Sequence, residues 1–267
     1  MTTIRRVLTI AVFAAAAPAL LAGQQRGAGP GGRGGQAPRS PKDAAPIDLT
    51  GYWVSIVTED WRWRMVTPLK GDSASVPVNA EGKKIVNDWD PARDEAAGLQ
   101  CKSYGAAAIM RVPGRVHITW QDDSTLQIDT DAGMQTRVLH FGGNAPQGAP
   151  ASWQGYSAAA WEGAPAIPGG GAPLGLAGRV GVRSRSLEVT TTNLSAGFLR
   201  KNGVPYSANT VVKEYFDRFT EPNGDERFTV MTVVTDPQYL AVPFVTTSDF
   251  KKESDGSKWD PSPCTAR

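Results

Sequence analysis

Residues 115–141 read RVHITWQDDSTLQIDTDAGMQTRVLHF, and the strict period-two alternation through them limits the fold more than any other feature. Val116, Ile118 and Trp120 fall on one face of a strand, and Arg115, His117 and Thr119 on the other. Leu126 and Ile128 likewise oppose Gln127 and Asp129. In the third run, His140 shares a face with Met134, Thr136 and Val138, whereas Leu139 and Phe141 take the other. Asp122-Asp123-Ser124 and Asp131-Ala132-Gly133 are turn-forming clusters between the runs, so the segment is an antiparallel three-stranded meander.

The C-terminal third repeats the pattern in RSLEVTTTNL, NTVVKEYFDRF, ERFTVMTVV and VPFVTTSDFKK, with Asn223-Gly224 as a turn. Residues 51–57 add a strand. EDWRWRM is read as another, with Trp61, Trp63 and Met65 on one face and Arg62, Arg64 and Val66 on the other. About nine strands result. Helix signals are confined to an insert: Asn79 caps a helix through Trp89, with Ile85, Val86 and Trp89 on one side. Pro91 starts a short turn ending at Gly98, and residues 106–110 offer a third piece. The Gly/Pro-rich run 162–183 is read as a surface loop within one domain. The expected fold is mainly β: a single antiparallel barrel with a small helical insert, which covers both sheet faces and leaves no free edges.

The N-terminus points to export. Arg5-Arg6 precede an alanine-rich apolar core, and Ala17-Pro18-Ala19 or Leu21-Ala22-Gly23 provides small residues for cleavage, so residues 1–23 are read as a signal peptide. No cysteine follows Gly23, which argues against a lipoprotein anchor. Residues 24–46, rich in Gly, Pro and Arg, are read as a disordered linker, and 47–267 as the barrel domain. The 28 basic and 26 acidic side chains nearly balance, and several basic ones lie in the first 46 residues. A clustered basic face for nucleic acid is therefore not expected, nor is stable membrane insertion. The two cysteines, Cys101 and Cys264, are expected to form one disulfide in a periplasmic or extracellular protein. Neither has a second ligand at metal-binding spacing, and no metal or cofactor is expected.

Glycine-rich phosphate loops, Gly-x-Ser-x-Gly and His-Glu-x-x-His are absent from the sequence. Catalytic candidates reduce to the two histidines, His117 and His140, with Glu214; Asp129 is a possible neighbour. Their convergence depends on strand register. Both faces of NTVVKEYFDRF are mixed: Val212, Glu214, Phe216 and Arg218 share one, and Val211, Lys213, Tyr215, Asp217 and Phe219 the other. A barrel enclosing an aromatic, partly polar cavity accounts for that mixture, and so do Glu214 and Arg218 paired at a solvated rim. Candidate ligand-binding residues are Trp53, Arg64, Trp120, Trp153, Tyr156, Trp161 and Tyr206, with Arg64 as anchor for an anionic group.

Gly51-Tyr52-Trp53 opening the first strand resembles the Gly-x-Trp signature of lipocalin-like barrels, which implies that Trp53 plugs one barrel end. WQGYSAAAWEG, SLEVTTTNL, GVPYSANTVVKEYFDRF, TDPQYLAVPF and WDPSPC together resemble an uncharacterised group of secreted bacterial β-proteins with a W-x-G-x-S-x-x-x-W-E-G segment. Many of its members carry His where this chain has Tyr156 and Tyr206. The resulting expectation is an exported barrel binding a small, partly apolar ligand. A cofactor-independent isomerase, hydratase or lyase using His, Glu and Tyr is one alternative; an envelope structural or interaction protein is another.

Overall fold

In the computed structural model, which describes residues 39–162 and 186–267, nine strands close into one barrel. They are β1 (Gly51–Ile56), β2 (Arg115–Asp122), β3 (Thr125–Thr130), β4 (Thr136–Phe141), β5 (Tyr156–Trp161), β6 (Leu187–Thr192), β9 (Val211–Thr220), β10 (Glu226–Thr235) and β11 (Phe244–Lys252). Two shorter strands, β7 (Gly197–Arg200) and β8 (Val204–Tyr206), form a separate hairpin. The barrel order is β1-β11-β10-β9-β6-β5-β4-β3-β2, with β1 hydrogen-bonded to both β2 and β11. The signal segment, most of the linker and the Gly/Pro-rich loop fall outside the described residues apart from their inner ends. Residues near 40–45 lie on the barrel: the Lys42 amide donates to the Asp123 carbonyl, and the Trp161 indole donates to the Pro41 carbonyl.

The β2–β3–β4 meander forms with the anticipated faces. Its register sets His117 opposite Asp129, and Thr125 opposite His140. Two features differ from the sequence reading. The barrel is mixed, because β4 and β5 run parallel. Residues 142–155 must therefore carry the chain back along the barrel before β5 begins, which a two-residue hairpin cannot do. The second difference is EDWRWRM, which is no strand. Trp61–Arg64 is a single helical turn (α1), entered through Asp60 in the left-handed conformation at φ 52°. Both edges of β1 are already paired, so no edge remains for an additional strand. Arg64 is instead drawn to Glu59 and to the Arg111 carbonyl. Its place among the nine is taken by Tyr156–Trp161, whose alanines carry no alternation signal.

One barrel end is closed by the helical insert. Asn79 caps α2 (Ala80–Asp88) through its side chain, which accepts from the Gly82 amide, and Asp90 caps α3 (Pro91–Ala96). Val86 and Trp89 of this region are buried as expected, whereas Ile85 is 39% exposed. Short 3-10 turns follow at Gln100–Tyr104 and Ile109–Arg111. The insert packs on the β7–β8 hairpin through an apolar cluster that includes Val78, Val86, Leu199, Tyr206 and Leu240. At the hairpin turn Gly203 has φ 81°, and a Cβ there would come within 2.1 Å of Trp89. That position therefore requires glycine on two counts.

The interior is filled. Trp53, Ile118, Leu126, Ile128, Leu139, Phe216 and Phe228 are all 0–1% exposed. The Trp53 indole donates to the Leu49 carbonyl at 2.9 Å and meets Phe228 edge-on. Trp53 is thus a fixed, fully buried part of the packed interior. The C-terminal tail leaves β11 and returns along the outside of the barrel, where Trp259 meets Tyr52 and His117 edge-on. It ends at the disulfide between Cys101 and Cys264, which links the tail to the helical insert.

Candidate functional site

Strand register separates the three residues considered for acid–base chemistry. Glu214 points into the barrel, on the same face as Val212 and Phe216, and is fully buried. His117 and His140 lie on the outer face, two strands and four residues apart, which is about 17 Å at ordinary sheet spacings. His117 stacks on Tyr52 with ring centroids 3.9 Å apart, under Trp259; His140 stacks on Tyr156 at 4.7 Å. Both imidazoles are packing elements of the barrel exterior, and neither shares a cavity with Glu214.

Glu214 has a different partner. Arg137 donates from Nη1 to Glu214 Oε1 at 3.0 Å and from Nη2 to Oε2. It also donates to the hydroxyls of Ser157 and Thr191, which bond to each other at 2.7 Å. Every charged nitrogen and oxygen of the pair is thereby engaged, as a buried ion pair requires. A sequence signal did exist for it. Arg137 occupies the inward phase of β4, two residues before Leu139 and four before Phe141, where a charge must be paired or misplaced.

The other predicted ligand residues are dispersed. Trp53 and Tyr206 are 0% exposed and belong to different core clusters. The Tyr206 hydroxyl has no hydrogen-bond partner, and burial pushes its pKa up. Trp120 and Trp161 flank Phe141 at centroid separations of 5.4 and 5.3 Å, near the rim opposite the insert. Trp153 supplies its carbonyl to the Ala106 amide. A groove of about 880 Å³ runs between residues 42–50 and this rim, lined in part by Trp120 and Arg218. It is shallow, and its one arginine, Arg218, is paired with Glu226 through Nη2 and keeps a single buried donor without a partner, Nε.

Arg64 alone leads to a distinctive chemical setting, a cleft beside the helical insert. The cleft has a volume of about 50 Å³, and Trp63, Arg64, Arg111, Arg200 and Lys201 are among its lining residues. The Arg64 and Arg111 side chains are only 2% and 7% exposed, and Arg200 is 5% exposed. Each arginine is held by part of its fork. Arg64 Nε donates to the Arg111 carbonyl at 2.9 Å, Arg111 Nη2 to Asp60 at 2.8 Å, and Arg200 to the Ala74 carbonyl and the Ser75 hydroxyl. The Arg200 guanidinium also lies 5.2 Å from the Trp63 ring centroid.

What remains is a set of unused donors. Arg64 Nη2, Arg111 Nη1, Arg200 Nε and Trp63 Nε1 are buried without a partner. Four orphaned N–H groups at one cleft are costly in the empty state, and an anion is the species that would satisfy them. The electrostatics agree. Burial and then the Arg111 charge lower the Arg64 pKa, and the same two causes hold Arg200 down to about 10. Cations crowded against one another in this way are relieved by a negative charge. Sequence reasoning reached Arg64 but missed Arg111 and Arg200, which lie in a 3-10 turn and a four-residue strand where no periodicity marks a site.

Among the described residues, no group of three His, Cys, Asp or Glu side chains could hold a metal ion, and no helix is long and apolar enough to cross a membrane. Comparison with known proteins found no match to any protein-family model, curated protein or solved structure. The molecule is therefore defined by its own geometry: a closed, mixed nine-stranded barrel with a disulfide and an arginine-lined cleft.

Proposed function

We propose that this is an exported β-barrel protein whose role is to bind a small ligand through an oxyanion group held in the Arg64–Arg111–Arg200 cleft. The observation that carries this reading is that Trp63, Arg64, Arg111 and Arg200, all lining one small cleft, each carry a buried N–H donor without a partner. Three guanidiniums form a set suited to carboxylate or phosphate, which accept forked hydrogen bonds. The Trp63 face offers apolar contact for whatever the anion is attached to. Export is supported by the signal-like N-terminus and by a disulfide that a reducing cytosol would not favour. Kinship with the secreted bacterial β-proteins is part of the same proposal and rests on the quoted sequence segments.

The test is calorimetric titration with inorganic phosphate, sulfate and acetate in chloride buffer of constant ionic strength. Saturable binding of at least one oxyanion is expected. Arg111→Gln and Arg64→Gln, each checked for a native melting transition, should each weaken binding by about 10- to 150-fold, the range for loss of a charged hydrogen bond. Binding that is unsaturable, or that both variants retain at full strength, would reject the cleft as the site.

A further inference from the structure

The segment that supplies Trp63 and Arg64 to the cleft has a second face. Trp63, Arg64, Thr67 and Pro68 line the cleft. Their neighbours turn outward: Trp61 is 64% exposed, Met65 60%, Val66 63% and Leu69 73%. Elsewhere on the described surface, large exposed apolar side chains are scattered, the ordinary state of a soluble surface. Four within nine residues form a local concentration, standing at the rim of a cationic cleft. Arg62 and Lys70 flank them, both exposed and without an ion pair among the described residues.

We infer that residues 61–70 rest on a lipid surface bearing anionic headgroups, with one headgroup oxyanion seated in the arginine cleft. This inference rests on the cleft being an anion site and names the source of the anion. Tryptophan, methionine, valine and leucine side chains enter the boundary between headgroups and acyl chains, while Arg and Lys stay at headgroup level. The charge pattern fits the occupant. Residues 59–72 and the cleft lining carry six cationic side chains (Arg62, Arg64, Lys70, Arg111, Arg200, Lys201) against three acidic ones (Glu59, Asp60, Asp72). Two of those acids, Glu59 and Asp60, are occupied with Arg64 and Arg111. The cleft is also small, about 50 Å³, so the apolar part of an amphiphile is placed outside it. The exposed apolar rim is where that part would be met. Contact of this kind is peripheral and needs no membrane-spanning segment.

The experiment is vesicle co-sedimentation of the purified protein from residue 24 onward, without the expected signal peptide, with phosphatidylcholine vesicles, with and without phosphatidylglycerol, alongside titration with inorganic phosphate and glycerol 3-phosphate. The wild type should partition onto the anionic vesicles and much less onto pure phosphatidylcholine. Trp61→Ser/Leu69→Ser removes two exposed side chains outside the cleft lining; it should reduce partitioning by about tenfold or more while leaving phosphate binding intact. Arg200→Gln and Arg64→Gln, retained only if they melt as native proteins, should reduce both. Arginines of the N-terminal region are common to every variant and cancel in the comparison.

Phosphate binding without vesicle binding overturns the lipid inference and leaves the anion site standing; loss of both overturns both. Vesicle binding that survives Trp61→Ser/Leu69→Ser, or survives both arginine variants, means that rim and cleft do not act together, and the inference fails.

Discussion

Glu214→Gln tests whether the barrel interior is held in register by one ion pair. The substitution preserves shape and removes a charge that is 0% exposed, leaving the Arg137 guanidinium, with a side chain 2% exposed, without its anion. The amide oxygen can still accept one of the two hydrogen bonds. The Ser157 and Thr191 hydroxyls still accept the others, but no neutral group offsets the buried positive charge. Breaking a buried pair from one side typically costs about 3–5 kcal/mol. For a domain of this size each kcal/mol is worth about 2–4 °C, so the melting temperature should fall by roughly 6–20 °C. Arg137→Met should be at least as damaging, because it strands a carboxylate and takes donors from two hydroxyls.

The double variant Arg137→Met/Glu214→Leu discriminates between explanations. It removes both charges and refills the volume, so it should be less destabilised than either single variant. Thermal and urea unfolding with the disulfide intact supply the measurement. A loss under about 1 kcal/mol for both single variants would show that water reaches the pair. A double variant as unstable as the sum of the singles would show that the two charges are not coupled. Either result would refute the Arg137–Glu214 pair as the contact that holds the interior in register.

Two further outcomes follow from the disulfide and the cleft. Cys101→Ser/Cys264→Ser opens a closure spanning 163 residues, for which chain entropy predicts a loss of about 5 kcal/mol as an upper value. Hydrogen exchange should then rise first along residues 253–267, where Trp259 covers His117; unchanged exchange there would mean that the tail is held by packing alone. The affinity of the cleft for sulfate, whose own charge is constant, should be flat from pH 7 to 9 and fall as pH approaches about 10, the value to which burial and the Arg111 charge lower Arg200. The sign for folding is opposite. The unfolded chain holds that proton to higher pH than the folded one, so the empty protein gains stability above about 10 while it loses the ligand. Affinity measured across pH 7–10.5 checks the first effect, and an affinity that rises with pH would contradict it.

The amino-acid sequence by itself determined most of the strands, the capped helices of the insert and the pairing chemistry of the two cysteines. Each is a local or compositional property: side chains alternate along a strand, Asn79 and Asp90 cap helices three and two residues ahead, and two cysteines behind a signal-like N-terminus have each other. Only the tertiary structure decided which strand pairs with which, and that choice fixed which side chains come together. A period-two pattern sets His117 and His140 each opposite the apolar side of its own strand but leaves open whether they converge and which side faces the lumen; register and closure of the barrel put both outside, well apart. The same closure left EDWRWRM without an edge to join. It became a helical turn, which brings Trp63 and Arg64 together in one cleft where strand geometry would have sent them to opposite faces. Arg111 and Arg200 are 47 and 136 residues from Arg64 in the chain. A site assembled from an insert and a hairpin so far apart leaves no spacing for sequence to record, because its geometry exists only once the barrel end is capped.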